Sequence, residues 1–171
     1  MRGNVRDIDH GYRALMNRVR RLGKPQISVG LHAKEGDVMH KAEPGEHAQP
    51  VTVLAVGTWA EFGLGQPERS WLRAWYDGAR SAAFADIRKM MALVLAGKIP
   101  LDQAMNKLGL RFVGQIQHRI AQGIAPPNAP ATIKRKGSST PLINTGQFRS
   151  SITHAVDGAE GASAGQSEAA E

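Results

Sequence analysis

The sequence predicts an α+β domain: a small antiparallel sheet packed with two long helices, plus an extended proline-rich arm and an acidic tail. Two kinds of periodicity carry that reading. Residues 26–32 alternate strictly between apolar and polar, the pattern of a half-buried strand. Two later segments place their apolar residues three and four apart, each on a single helical stripe. At 171 residues and 42% hydrophobic content, the chain suits one modest domain with tails. Of its nine aromatics, five fall between Trp59 and Tyr76, which puts the expected core there.

The first helix is expected over residues 7–22, where Ile8, Tyr12, Leu15, Val19 and Leu22 share one face and arginines the other. Gly23 stops it. After the strand at 26–32, residues 34–50 hold glycine turns, Pro44 and Pro50 but no periodicity, and read as a long loop. Residues 51–62 form a short apolar helix closed by Gly63 and Gly65. The stretch 66–72 is extended, because Pro67 disfavours helix in the residue before it. A long helix over 75–96 places Phe84, Ile87, Met91 and Val94 on one face. Pro100 opens the next, at the first-turn position that tolerates proline. That helix carries Leu101, Met105, Leu108, Phe112, Ile116 and Ile120 on one stripe. Gly109 inside it weakens the helix by about 1 kcal/mol relative to alanine.

Residues 123–141 contain four prolines and no stripe, so they read as an irregular arm too proline-rich to fold back into a helix. A helical turn at 146–150 and a final strand at 151–156 close the domain, which spans residues 1–156. Residues 157–171 are Gly, Ala, Ser and Glu with nothing larger than Gln beyond Val156 and Asp157, and read as a disordered acidic tail. Phe62, Trp71, Leu72 and Trp75 are expected to share one core with the apolar faces of the long helices.

Charge and composition exclude several functions. The net charge is +7, with seven bases against two acids in residues 1–24 and four acids without a base in the last fifteen. There is no cysteine, which removes disulfides, thiolate catalysis, iron–sulfur clusters and cysteine-type zinc sites. No run approaches the ~18 apolar residues of a membrane span. The first residues have no apolar core after their charges, so no secretory signal is read, and a cytosolic chain is expected.

Catalytic motifs are missing too. His40 and His47 share a loop with Asp37, Glu43 and Glu46, but the spacing matches no metal motif, and a solvated loop is the favoured reading. His118 and His154 read as surface or satisfied histidines. No Gly-x-Ser-x-Gly elbow, Gly-x-Gly-x-x-Gly loop or phosphate-binding loop occurs. No carboxylate spacing singles out an acid and a base. The expectation is a protein that is not an enzyme and takes neither cofactor nor metal.

Two basic segments remain. The arginine face of the first helix reads as solvated. Lys134-Arg135-Lys136, with Arg149 beyond it and no acid from Arg111 to Arg149, attracts either phosphates or an acidic partner surface. No aromatics interleave that run, so it offers no stacking platform for single strands.

Two stretches resemble tail-completion and neck (head–tail joining) proteins of tailed bacteriophages. In that family's pattern an apolar helix ends in Glu-Phe-Gly and leads to Pro-x-Arg-Pro-Phe-Leu-Arg. Here the matching residues are Glu61-Phe62-Gly63 and Pro67-Glu68-Arg69-Ser70-Trp71-Leu72-Arg73. Downstream, Pro126-Pro127-Asn128-Ala129-Pro130-Ala131-Thr132-Ile133-Lys134-Arg135-Lys136-Gly137 resembles the same proteins' proline-rich arm. Pro141-Leu142-Ile143-Asn144-Thr145-Gly146-Gln147-Phe148-Arg149-Ser150-Ser151-Ile152 resembles their Pro-Leu-x-x-Thr-Gly-x-Leu-x-x-Ser-Ile close. The similarity covers roughly residues 27–156. Ser70-Trp71 stands where the pattern has Pro-Phe, and Phe148 where it has an aliphatic residue.

That resemblance implies a non-catalytic virion structural protein in the neck or tail, assembled in the host cytoplasm. It implies a homo-oligomeric ring, hexamer or dodecamer, whose partners are head connector or stopper proteins, the tail tube protein and the genomic DNA passing non-specifically through the lumen. The expected subunit or partner interface is Thr132, Ile133, Lys134, Arg135, Lys136 and Arg149. A head-side connector or stopper ring is the alternative within that class. A small nucleic-acid-binding module is the alternative outside it.

Overall fold

The two strands of the domain lie near its opposite ends in sequence, and they pair with each other. In the computed structural model, which describes residues 9–41 and 50–158, β1 (Gln26–Gly30) runs antiparallel to β2 (Thr153–Asp157). Gln26 faces Asp157 and Gly30 faces Thr153. A two-stranded ribbon is marginal by itself, so its stability has to come from what lies on it.

Three helices carry most of the rest: α3 (Val53–Phe62), α4 (Arg73–Leu95) and α5 (Leu101–Gln122). α5 packs against both strands and buries its whole expected stripe, Leu101, Met105, Leu108, Phe112, Ile116 and Ile120. Pro100 sits one residue earlier than expected, as the extended residue that caps α5. α4 packs along α5 and buries only Val94. The sheet is therefore covered mainly by one long helix. α4 contributes through Met90, Met91 and Val94, in a cluster that includes Ile27 and Val156.

Gly109 owes its place in α5 to that packing. A Cβ there would collide with the ring of His154 on β2, whose Nε2 lies 3.1 Å from Asn106 Oδ1. The glycine weakens the helix but lets the strand lie close against it.

The remaining elements are shorter than the sequence pattern. α1 covers Tyr12–Arg21, and Ile8 of its expected stripe falls outside the described residues. β1 ends at Gly30 because His32 becomes the cap of a single turn, α2 (Ala33–Gly36), inside the expected loop. The end of that loop is pinned by a Met39–Thr52 bridge, with His40 N–H donating to Val51 O at 2.7 Å. Glu43, Glu46, His47 and the tail beyond Gly158 lie outside the described residues.

The arm departs most from expectation. Pro130–Lys136 forms a helix, α6, and Gln147–Ser150 the expected turn, α7. Pro130 is the first residue of α6, where no backbone N–H is needed, and Gly137 ends it in the left-handed region. Proline here starts a helix, contrary to the reading of the arm as unable to form one.

The main core gathers Val53, Ala60, Trp71, Ile116, Ile120 and Phe148, with Leu72 and Trp75 packed against it. Phe62 does not join them. It is 55% exposed, and the Arg73 guanidinium lies over its ring at 4.7 Å from the centroid. As the last residue of α3, it points away from the face that carries Val53 and Ala60.

Replacing Trp71 with alanine should cost about 3–5 kcal/mol, read as a fall in denaturation midpoint. A variant that melts within a degree or two of the parent contradicts this core. Gly109→Ala should lower stability by about 1–3 kcal/mol through the collision with His154, although alanine favours helix. A raised melting temperature would show that β2 does not lie against α5 at that point.

Candidate assembly surface

The site is built around one buried carboxylate. Glu61, in the last turn, is the only charged residue of α3, which ends at Gly63, whose φ of 68° is the left-handed conformation of a helix stop. The chain then turns back. A Cβ on Gly63 would sit 3.1 Å from the backbone nitrogen of Glu68, so glycine also permits the close return. That return brings residues 70–73, the start of α4, onto the Glu61 side chain.

Glu61, 5% exposed, accepts from Trp71 N–H at 2.7 Å, Leu72 N–H at 3.0 Å and Arg73 N–H at 2.9 Å. Ser70 Oγ donates to it at 2.8 Å, and Arg73 Nε at 3.0 Å. Arg73 is the first residue of α4, Leu72 its cap position and Trp71 the residue before it, and the first turn has no acid of its own and no side-chain cap at Leu72. A carboxylate from another helix therefore does the work of a cap, on donors that the helix cannot satisfy itself. Arg73 extends the clasp by donating through Nη2 to Glu61 O at 2.6 Å and to Glu68 Oε1 at 2.8 Å.

Burial pushes the Glu61 carboxyl up, but hydrogen bonds from Leu72, Arg73, Ser70 and Trp71 outweigh it and hold the group below the ordinary glutamate value. On Arg73, the hydrogen bond to Glu61 outweighs desolvation and raises the guanidinium.

The next residue of the same stretch reaches the arm. Arg69, 8% exposed, donates through Nε to Pro126 O at 2.9 Å and through Nη2 to Pro127 O at 3.3 Å. Asn128 Nδ2 then donates to Ser139 O at 3.4 Å, tying the start of the arm to its end. The arm is folded against its own domain and does not extend away from it.

The segment after the arm enters the core. Phe148 on α7 meets Trp71 edge to face, with centroids 5.2 Å apart, while Trp71 Nε1 donates to Gly57 O at 3.0 Å. Gly57 is needed there, because a Cβ would lie 2.7 Å from Leu31 Cδ1 and 2.8 Å from Phe148 Cε2. Gln147 holds the 39–41 segment, donating to Met39 O at 2.9 Å and accepting from Lys41 N–H at 2.8 Å.

Of the six expected interface residues, Thr132, Arg135 and Lys136 line one groove of about 770 Å³, with Trp59, Leu64 and Arg69 among its other walls. Ile133, Lys134 and Arg149 lie off it. Ile133 and Lys134 are exposed on α6, and Arg149 is exposed on α7. The surface is therefore mixed, part apolar and part basic. Sequence reading missed Glu61 and Arg69 as the hub, naming them only as letters of a pattern. The available signal was the lone charge at the end of an otherwise apolar helix.

Among the described residues, no group of three or more His, Asp or Glu side chains could hold a metal ion, and no helix is long and apolar enough to cross a membrane. No family model, curated protein or solved structure matches the chain.

Because the folded Glu61 pKa is depressed, its contribution is complete above the ordinary glutamate value of about 4.3 and is lost as pH falls through the folded value. Glu61→Gln should lower stability at pH 7 by about 1–3 kcal/mol by leaving donors unmatched. Its melting temperature should also depend less steeply on pH than the parent's between pH 5 and 3. Equal slopes would mean that Glu61 is not the acid-sensitive group.

Proposed function

We propose that the chain is a virion structural protein of a tailed bacteriophage, a ring-forming neck or tail-completion component that joins tail to head without catalysis. The observation that carries this reading concerns the two stretches that resemble that family. They lie more than fifty residues apart, yet Arg69 of the first holds the Pro126 and Pro127 carbonyls of the second. Their departures from the pattern also meet. Trp71, where the pattern has Phe, packs against Phe148, where it has an aliphatic residue. Ser70, where it has Pro, donates to Glu61 of the same pattern. The Trp71 and Phe148 side chains are larger than those of the pattern, and both lie against Gly57, whose missing Cβ leaves room for Phe148.

In that role the chain associates with copies of itself in a hexameric or dodecameric ring, with head connector or stopper proteins and with the tail tube protein. Genomic DNA passes through the lumen without base readout, and the place of action is the virion neck, after assembly in the host cytoplasm. The basic end of α6 is the part suited to an acidic neighbour or to passing phosphates.

Micromolar full-length protein, alone and with tail tube protein, should form rings visible by negative-stain electron microscopy. Changing Lys134, Arg135 and Lys136 together to Glu should leave the monomer folded, with a loss of about 1–3 kcal/mol from three reversed charges near a helix C-terminus. In phage carrying that change, filled heads and free tails should accumulate separately. Normal joining and infectivity would remove the basic run from the interface. A monomer under every condition, binding random duplex DNA in a salt-sensitive way, would replace the ring reading with a nucleic-acid-binding module.

A further inference from the structure

α4 and α1 each leave an apolar face uncovered. A groove of about 740 Å³ runs between α4, α5 and β1, lined by Val29, Trp75, Ile87, Met91, Leu108 and Phe112 among others. Two of the four residues of the expected α4 stripe, Ile87 and Met91, therefore lie along an opening, Phe84 is exposed, and this 23-residue helix buries only Val94. α1 buries nothing at all, and its stripe residues Tyr12, Leu15 and Val19 are 67%, 38% and 44% exposed.

We propose that α1 of one copy lays its stripe into this groove on a second copy, an inference that rests on the ring reading above. An amphipathic helix seated in an apolar groove is a standard recognition mode, and methionines such as Met91 and Met105 adapt to what enters. The lengths agree. Ten residues of α1 rise about 15 Å, and α4 rises about 22 Å from Tyr76 to Met91.

The groove holds one charge complementary to α1. α1 carries Arg13, Arg18, Arg20 and Arg21 and no acid. Asp77 is the one carboxylate in the groove lining and makes no hydrogen bond or ion pair among the described residues. Its neighbour Arg73 is already engaged by Glu61 and Glu68.

The chain's own α1 is held elsewhere. Arg18 Nη1 donates to Leu95 O at 3.0 Å, and Leu22 packs in the cluster around Val94 and Leu101. Only residues 23–25 separate that anchor from β1, and no α1 residue lines the groove. Stripe and groove are different surfaces, so the contact is heterologous. It propagates in one direction and closes when the rotation fits a ring.

The absence of cysteine makes the test direct. Full-length Leu15→Cys is mixed with Ile87→Cys, or with Met91→Cys, at micromolar concentration and oxidised with and without tail tube protein. The expected products are disulfide-linked pairs from the mixtures and none from any single variant. A chain carrying both changes should give a ladder that ends at the copy number of the ring. Tyr12→Ser, Leu15→Ser and Val19→Ser together should leave the melting temperature of the monomer unchanged and disperse the rings.

Rings that form without these cross-links, or that survive the triple serine variant, overturn the docking and leave the ring reading standing. A doubly substituted chain that closes within itself also overturns it, because α1 then covers its own groove. Cross-links that stop at pairs, with no ring, support the docking and remove the ring. Neither rings nor cross-links under any condition removes both.

Discussion

One carboxylate organises the domain. Glu61 belongs to α3, but its partners belong to the start of α4, so its five hydrogen bonds define the angle between two helices. A buried charge is costly to desolvate, by several kcal/mol even after relaxation. It is tolerated here because three backbone N–H groups, a hydroxyl and a guanidinium all converge on it. Two of those backbone groups, on Leu72 and Arg73, would otherwise be orphaned donors of a helix end. Each side thus resolves the other's deficit, and such a pairing is more selective for geometry than an apolar contact would be.

The position of Trp71 follows from that clasp. Its backbone N–H is held by Glu61 while its ring enters the core, donates to Gly57 O and meets Phe148. Phe148 lies on α7, five residues before β2, and so the clasp, the core and the closing strand form one chain of contacts. Arg69 adds the arm to it through Pro126 and Pro127. Elements widely separated in sequence therefore converge on one hub, in which Glu61 and Arg69 are buried. Loss of any one donor leaves Glu61 less satisfied in a low-dielectric setting, which ties local damage to the packing of the whole region.

Periodicity made the helices legible, because burial of one face leaves a trace every three or four residues. The α5 stripe, the strand at 26–30 and the apolar α3 with its Gly63 stop could all be read in this way. Phe62 was misplaced because hydrophobicity alone does not distinguish a core ring from one lying under a guanidinium. The arm was misread because a count of prolines ignores position: Pro130 at the start of α6 helps the helix that the same residue would break further in. Glu61 and Arg69 were visible only as letters in a resemblance. Their roles depend on partners nine to fifty-eight residues away, and no local pattern records such pairs.

The distribution of polarity in the finished domain bears on the proposed ring. A buried carboxylate joins α3 to α4, while apolar residues of α1 and α4 remain open. Single exposed apolar residues are ordinary, but contiguous ones at helical spacing mark surfaces that meet another surface. The two features are complementary. A hub that demands particular geometry keeps the subunit rigid, so the exposed stripes are presented at fixed angles to one another. Fixed angles are what repeated heterologous contacts need, because a small error in each rotation accumulates around a ring and prevents closure. In the proposed ring the Glu61 clasp would act on assembly without touching a neighbour: it sets where α4 points, and α4 forms one wall of the groove.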